Sequence, residues 1–266
     1  MINETTEGQE AGEQREELFF KVIEAGNKIL EILAALFIIL MLLYGAYSLW
    51  DTCQINRRAF ISGELMKYKP AGKTDESPSL QELQKINPDV CAWLTVDGTK
   101  IDYPVVQGSD NSEYLSKTFK GYDNTVGTIF VNAYNHADFN DRNTIIYGHY
   151  MYNGTMFNEL EQYHEKSFWE KYPSFYIYTP DGNVATYQIY SVGVVKDTSE
   201  GYTYQFADDA AFASFLEATK ASSLYDTGVE VGNDSQIVTL STCTREGNDD
   251  RTIVHGVRVN VQPAGE

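Results

Sequence analysis

The sequence predicts a mainly β domain, closed or nearly closed into a barrel, that follows a single membrane-spanning helix. From residue 93 onward, short β-branched and aromatic runs alternate with turn residues, which is typical of strands. Tyrosine alone accounts for 19 of the 266 residues, and aromatic side chains favour strands over helices. Near the start of the chain, residues 32–50 carry no charged side chain. These three observations predict the fold class.

The membrane helix is predicted at residues 29–50, after an acidic tail at 1–28. As a helix, the uncharged run spans about 28 Å, enough for the hydrocarbon core of a bilayer. Tyr44, Tyr47 and Trp50 gather at one end, where aromatic rings favour the membrane interface. We therefore interpret this segment as an uncleaved anchor.

Two other interpretations of the apolar segment compete with the anchor. A buried core helix is disfavoured because the run has no polar face. A cleaved signal peptide stays open, since Ala46 and Ser48 resemble a small-residue cleavage site, but the preceding region is long and acidic rather than short and basic. The basic residues do not set the orientation by the positive-inside rule, because they balance on the two sides: Arg15, Lys21 and Lys28 before the segment, and Arg57, Arg58 and Lys67 after it.

Residues 51–78 are predicted to form a helical extension followed by a polar linker at 69–78. The globular domain, predicted at 79–262, opens with Ser79 and Glu82 at the spacing of a helix capping box. Asp97 and Gly98 separate two apolar runs and predict a β-hairpin.

The remaining elements follow the same reasoning. Further strands are predicted at 127–132, 144–147, 174–178, 185–195, 236–240 and 252–261. Two helices interrupt them, a short one at 155–163 and a longer one at 208–224 with apolar residues at helical spacing. So many strands would leave exposed edges in an open sheet, which favours closure into a barrel.

Composition excludes some functions. The formal net charge is −18, and so acidic a surface would repel nucleic acid. Three cysteines, Cys53, Cys91 and Cys243, do not make a disulfide framework, and no Cys/His cluster has metal-ligand spacing. We therefore expect no metal, no cofactor and no nucleic-acid partner. The acidic pair Asp249 and Asp250 is interpreted as a solvated turn rather than a cation site.

Cys243 is the strongest candidate for chemistry. It ends the segment Thr239-Leu-Ser-Thr-Cys, which continues the apolar, β-branched run of Ile237 and Val238. An almost wholly polar stretch follows it, which predicts a thiol at a solvent-accessible rim. The alternative is an inert buried thiol, the interpretation that we give to Cys91 in its apolar surroundings. Cys53 is interpreted as incidental. If residues 247–250 form a turn, Arg251 pairs across from Cys243, while Arg245 faces water.

His149 follows the run Asn143-Thr-Ile-Ile-Tyr-Gly and precedes a turn-like loop, so its ring can reach a cleft. A thiol with a nearby base and a cation can attack a carbonyl and stabilise the oxyanion. Sequence separation alone leaves the distance between these residues open. His255 is predicted to be a satisfied, partly buried strand residue on the same face as Arg251, and His136 and His164 are predicted to lie on the surface.

Four segments together resemble class B sortases, the cell-wall transpeptidases of Gram-positive bacteria. They are residues 87–94 with 101–107, the Tyr-Gly-His run ending at His149 with Met156 and Phe157, the Thr-Leu-Ser-Thr-Cys run ending at Cys243, and residues 251–256. The resemblance covers about residues 80 to 260. The long helix at 208–224 and the N-terminal helical extension are similar to class B rather than class A.

This resemblance implies an eight-stranded sortase-type β-barrel with helical insertions, tethered on the outer face of the cell membrane with the tail at 1–28 in the cytoplasm. By position, Cys243 is the implied nucleophile, His149 the acid and base, and Arg251 the residue that orients the substrate or oxyanion. The implied partners are surface proteins with a C-terminal sorting motif, cut after Thr, and an amine of peptidoglycan or its lipid-linked precursor. The sequence does not choose among motifs of the Asn-Pro-x-Thr or Ser/Pro-Pro-x-Thr-Gly kind.

Two other functional classes stay open at this stage. An L,D-transpeptidase or cell-wall cysteine peptidase would use the same thiol chemistry, although no glycine precedes Cys243 as that pattern requires. A membrane-anchored adhesion or scaffold domain would leave Cys243 inert.

Overall fold

A computed structural model describes residues 3–59, 63–70, 79–243 and 249–264 of the chain. Two compact units are distinguished, Met1–Gln54 and Ile55–Glu266. The first is helical and belongs to α1 (Asn3–Ala59). Within the described residues, one helical stretch, Arg15–Gln54, is long and apolar enough to cross a membrane, judged by length and composition. Its large apolar side chains are exposed.

The second unit is a closed β-barrel, which confirms the predicted fold class. Its helices are α2 (Gly63–Met66), α3 (Leu80–Gln84), α4 (Lys166–Lys171) and α5 (Asp209–Ala221), and three 3-10 segments cover Glu113–Leu115, Asn158–His164 and Glu200–Tyr202. The eight strands are β1 (Val90–Val96), β2 (Asp102–Val106), β3 (Phe130–Val131), β4 (Asn143–Tyr147), β5 (Ser174–Tyr178), β6 (Asn183–Lys196), β7 (Ile237–Cys243) and β8 (Asp250–Pro263).

Around the barrel the strands run in the order β1-β2-β3-β4-β7-β8-β6-β5, and β5 pairs back onto β1. Closure leaves no sheet edge exposed. The predicted hairpin joins β1 to β2, with Gly98 at φ +75 in its turn. Two contacts in the barrel are parallel, β2 with β3 and β4 with β7. The second of these sets the geometry of the candidate site.

Several sequence predictions need adjustment. The strand predicted at 127–132 is reduced to Phe130–Val131, and the helix predicted at 155–163 is a 3-10 segment followed by α4. The helix predicted at 208–224 is confirmed as α5, whose N-cap Asp208 accepts a hydrogen bond from the Ala211 amide. The Ser79 capping box is also confirmed.

The N-terminal extension packs against the barrel. Leu65 in α2 is buried in a cluster with Trp93 and Phe130. Lys69, predicted as the start of a free linker, instead pairs with Asp102 at 2.7 Å. Residues 71–78 of that predicted linker lie outside the described part of the chain. The segment at 63–70 therefore belongs to the barrel unit.

Candidate active site

Three adjacent strands bring the predicted site residues to one end of the barrel. Strand β7 lies between β4 and β8. On one side, β4 runs parallel to β7 with Tyr147 opposite Ser241, and the Gly148 amide donates to the Ser241 carbonyl at 3.1 Å. On the other side, β8 pairs antiparallel with Cys243 opposite Arg251.

His149 follows Tyr147 by two residues, and Cys243 follows Ser241 by two residues. His149 and Cys243 thus follow paired residues at the same ends of β4 and β7, and Arg251 pairs with Cys243 on the other side of β7. The predicted pairing of Cys243 with Arg251 is confirmed at the level of the backbone. Arg245, and residues 247–248 of the turn predicted at 247–250, lie outside the described part of the chain.

A close contact fixes the backbone that carries His149. Phe157 is fully buried, and its amide donates to the His149 carbonyl at 3.0 Å. The Phe157 ring lies directly against Gly148, where an added Cβ would approach it to 2.3 Å. Only glycine fits here without displacing the ring. Packing against Phe157 therefore explains why a glycine precedes His149.

A groove of about 500 Å³ opens over this end of the barrel. Its lining is largely apolar and aromatic and includes the described site residues. The lining residues include Asn111, Leu115, Phe130, Asn132, Tyr134, Tyr147, His149, Asp197, Tyr202, Tyr204, Ser241, Thr242 and Arg251. A long apolar groove with a few convergent polar groups is the usual form of a ligand site.

Electrostatics favour a neutral base in the groove. The His149 side chain is exposed, yet the surrounding protein removes part of the hydration of its imidazole and lowers its pKa below the ordinary value. A histidine with a lowered pKa is mostly neutral at pH 7 and can accept a proton. The neutral imidazole therefore has a lone pair that can accept a proton, and its lowered pKa makes it a weaker base than a free histidine.

Arg251 supplies positive charge to the same groove. Its side chain is 26% exposed, and its Nη2 lies 3.5 Å from the Asp197 carboxylate. Its Nη1 donates to the Asp250 carbonyl at 3.2 Å. A guanidinium has five N–H donors, so these two contacts leave others for a ligand.

Tyrosine hydroxyls and amides complete the walls of the groove. Tyr202 shares a 2.7 Å hydrogen bond with Ser241, and burial raises the pKa of Tyr202 to about 12. Its phenol is therefore neutral. Tyr134 and Tyr204 stack with ring centroids 6.1 Å apart. Asn132 is buried and accepts a hydrogen bond from the Tyr134 amide at 3.0 Å. These aromatic and amide residues were not singled out in the sequence, because no distinctive motif surrounds them.

Cys91 is the buried thiol that the sequence predicts. Cys91 is buried, and desolvation raises the pKa of its thiol to about 12. Such a thiol is inert at neutral pH. Cys53 is exposed on α1.

The other histidines differ in part from the predictions. His136 is exposed and pairs with Asp141 at 2.7 Å, as a surface residue can. His164 was predicted on the surface but is half-buried, and its Nε2 lies 3.0 Å from the Thr252 hydroxyl. His255 is fully rather than partly buried. Its Nδ1 lies 2.8 Å from the Thr239 hydroxyl, while its Nε2 has no hydrogen-bond partner among the described residues.

No metal site is found within the described residues, where no group of three or more His, Cys, Asp or Glu side chains converges. Asp250 instead pairs with Lys196 at 2.6 Å.

Comparison with known proteins agrees with this architecture. The family model of the sortase domain matches residues 94–259. Sortase B of Listeria monocytogenes is 37% identical over 169 residues, which are 63% of this chain and 68% of the relative. Sortase B of Staphylococcus aureus is 31% identical over 224 residues, which are 82% of this chain and 90% of the relative.

Solved structures give the same result. A Staphylococcus aureus sortase B–substrate complex has a TM-score of 0.63 at 31% identity, covering 68% of this chain and 84% of that one. Clostridium perfringens sortase B has a TM-score of 0.65 at 31% identity, covering 68% of this chain and all of that one. The chain therefore belongs to the sortase family, as a class B sortase-type cysteine transpeptidase.

Proposed function

We propose that this chain is a membrane-anchored transpeptidase that cleaves a C-terminal sorting motif after Thr and transfers the surface protein to an amine of peptidoglycan or its precursor. The observation that carries the proposal is the order of the strands. Strands β4, β7 and β8 are adjacent and bring the chain positions of His149, Cys243 and Arg251 to one end of the barrel, beside one groove.

In the first half of the reaction, Cys243 Sγ attacks the backbone carbonyl carbon of the motif Thr. The neutral His149 imidazole accepts the thiol proton, and Arg251 offers N–H donors to the oxygen that gains negative charge. The carbon–nitrogen bond of the peptide then breaks. His149, now protonated, gives its proton to the departing amine. The products of this half are a thioester on Cys243 and a released C-terminal peptide.

In the second half, an acceptor amine attacks the thioester carbonyl. His149 takes the proton that the amine loses, the carbon–sulfur bond breaks, and a new amide bond forms. Cys243 leaves as thiolate and regains its proton from His149. Atoms and charges balance without a cofactor or metal.

The groove suits an extended peptide as the first substrate. Its walls combine apolar and aromatic side chains with the amides of Asn111 and Asn132. Apolar walls bind side chains, and amides can hydrogen-bond a peptide backbone. A Staphylococcus aureus relative has been solved as a substrate complex, which supports a substrate site in this fold.

The proposed function requires the barrel to lie on the outer side of the cell membrane. The helix Arg15–Gln54 is suited by length and composition to a membrane span. With residues 1–28 in the cytoplasm, the barrel lies outside the cell, where surface proteins and peptidoglycan precursors meet. A single span in this orientation tethers the barrel at the membrane surface.

The test uses the full chain in detergent micelles, a panel of sorting-motif peptides and an amine acceptor, read by mass spectrometry. Cys243→Ala runs in parallel. We expect cleavage after Thr, a thioacyl adduct on Cys243, an amine-dependent product, and none of these with Cys243→Ala. A methanethiosulfonate should modify Cys243 and spare the buried Cys91.

Two results would contradict the proposal. Trimming of peptidoglycan stem peptides, without cleavage of any motif, would indicate a wall peptidase or L,D-transpeptidase. An unreactive Cys243 with no product of either kind would indicate an adhesion or scaffold domain.

A further inference from the structure

Asp197 occupies a fixed place beside Arg251. At the end of β6, Val195 lies opposite Arg251 and Lys196 opposite Asp250 in the antiparallel register. The Asp197 amide donates to the Asp249 carbonyl at 3.2 Å, so the two segments stay hydrogen-bonded beyond the end of β6. The position of the Asp197 backbone is therefore set by strand pairing rather than by a free loop.

The carboxylate of Asp197 contacts the guanidinium. Asp197 Oδ2 lies 3.5 Å from Arg251 Nη2, and the side chains are 48% and 26% exposed. The Asp250 carbonyl holds Nη1 from a second direction at 3.2 Å. Two contacts from different directions restrict a long side chain that would otherwise sample many rotamers.

The pair also belongs to the groove. Both residues line it, and Asp197 is the one carboxylate among its described lining residues. The Tyr202 phenol is hydrogen-bonded to Ser241, two residues before Cys243. Burial raises the pKa of this phenol, the charge of Arg251 lowers it, and the charge of Asp197 raises it. Asp197 therefore lies in the same groove as Arg251, the residue proposed to face the oxyanion.

We propose that Asp197 is a positioning residue that holds the Arg251 guanidinium over the groove before substrate binds. The proposal rests on the proposed function, because it assigns Asp197 a role through Arg251. A rival role is open to the same carboxylate, which could bind the ammonium form of the acceptor amine. The two roles differ in which half-reaction they affect.

The neighbouring ion pair provides a matched control. Lys196 pairs with Asp250 at 2.6 Å from the same two strands, yet neither residue lines the groove. Lys196→Gln removes an ion pair of the same strand ends without touching the groove. If such pairs only stabilised the fold, Lys196→Gln and Asp197→Asn would have the same effect on kcat/KM.

The experiment measures kcat/KM for peptide cleavage by the full chain in detergent, with and without an amine acceptor. Asp197→Asn should lower kcat/KM about 2- to 5-fold, the range of an exposed ion pair, equally with and without acceptor. Lys196→Gln should leave kcat/KM unchanged. In an Arg251→Gln background, where slow thioacyl formation is followed by mass spectrometry, Asp197→Asn should have no further effect.

The outcomes separate the possibilities. An inactive wild type would refute the proposed function itself. With an active wild type, an Asp197→Asn chain with unchanged kcat/KM overturns the positioning role. So does a loss confined to the amine-dependent product, which would assign Asp197 to acceptor binding. An equal loss in the Arg251→Gln background would also overturn it, because Asp197 would then act independently of Arg251.

Discussion

Two histidines in polar loops carry opposite pKa shifts for identifiable reasons. Partial desolvation lowers the pKa of His149. The pKa of His136 is raised by its hydrogen bond to the Asp141 carboxylate and by that charge. The sequence predicts a cleft position for His149 and a surface position for His136, but it predicts neither pKa shift. Their surroundings in the fold distinguish a neutral base from a partly charged surface group.

We predict that NMR titration of the imidazole signals gives a midpoint below 6.5 for His149 and above 6.5 for His136. Folding depresses the first because the charged form loses hydration, and it raises the second because the charged form gains a partner. Activity should then fall as the pH drops through the His149 midpoint. Asp141→Asn serves as the control, since it should lower the His136 midpoint alone. A His149 midpoint at or above 6.5 would contradict the assignment.

Burial explains which individual residues the sequence predicts well. The apolar neighbours of Cys91 along the strand are enough to predict an inert thiol, because strand and barrel bury both faces there. The burial of His164 and His255 was harder to predict from the sequence. Thr252 bonds to His164 from 88 residues away, and α5 covers His255 through Phe215. Burial that comes from distant elements leaves no local pattern.

At the scale of elements, local pairings were predictable and distant ones were not. Cys243 and Arg251 are eight positions apart, and the antiparallel pairing of β7 with β8 places them opposite each other. His149 reaches the same site through the parallel pairing of β4 with β7, which are separated in the chain by β5, β6 and α5. A parallel pair needs a long crossover connection, and the sequence of neither strand predicts which strand it pairs with.

The packing of Gly148 on Phe157 gives a prediction at this scale. Gly148→Ala places a Cβ 2.3 Å from the Phe157 ring and must displace the ring or the strand end that carries His149. We expect a loss of about 1–3 kcal/mol in the free energy of unfolding and a lower kcat, because overpacking moves the backbone that carries His149, the proposed base. Chemical denaturation and the peptide-cleavage assay measure the two effects.

A second substitution tests the cause. Phe157→Leu in the Gly148→Ala chain should recover part of both losses by giving the new methyl group room. Activity that stays lost although stability recovers would mean that the ring itself, rather than the clash, sets the position of His149.

A buried polar network ties the same three strands together below the site. The Thr239 hydroxyl bonds to Asn143 at 2.7 Å and lies 2.8 Å from His255 Nδ1. The Asn143 amide in turn donates to the Thr203 carbonyl, next to the segment that carries Tyr202. Desolvation lowers the pKa of His255 to about 3. The network therefore requires a neutral imidazole.

This requirement predicts acid sensitivity. Below the ordinary pKa of 6.5 the unfolded chain gains a proton at His255, whereas the folded chain stays neutral until about pH 3. Stability is therefore lost as the pH falls from 6.5 towards 3, by about 2 kcal/mol between pH 7 and pH 5 from this residue. Urea unfolding at both pH values should show that His255→Gln is less stable at pH 7 but loses less on acidification. An equal loss in both chains would assign the acid sensitivity to other groups.

At the scale of the whole molecule, the chain joins a long apolar helix to a barrel unit. The barrel includes the segment at 63–70, which Leu65 and the Lys69–Asp102 pair hold in place. The sequence predicted both units from an uncharged run and from alternating strands. It did not orient them across a membrane, because its basic residues balance on the two sides of the run.

The native cysteines allow that orientation to be measured. Cys53 is exposed on α1, three residues beyond Trp50 at the end of the uncharged run. In a Cys243→Ala chain, a membrane-impermeant maleimide added to intact spheroplasts should label Cys53 if the barrel lies outside. Cys91 should stay unlabelled, because burial raises the pKa of its thiol to about 12.

A matched variant places the thiol on the other side of the span. Gly12 is exposed in the acidic tail, and no atom lies within 4 Å of a Cβ added there. In a chain with Cys53→Ser and Cys243→Ala, Gly12→Cys should be labelled only after the membrane is permeabilised. Labelling of residue 12 in intact spheroplasts, with Cys53 protected, would reverse the proposed topology and place the barrel inside the cell. A barrel inside the cell could not reach cell-wall acceptors, so this outcome would also contradict the proposed transfer to peptidoglycan.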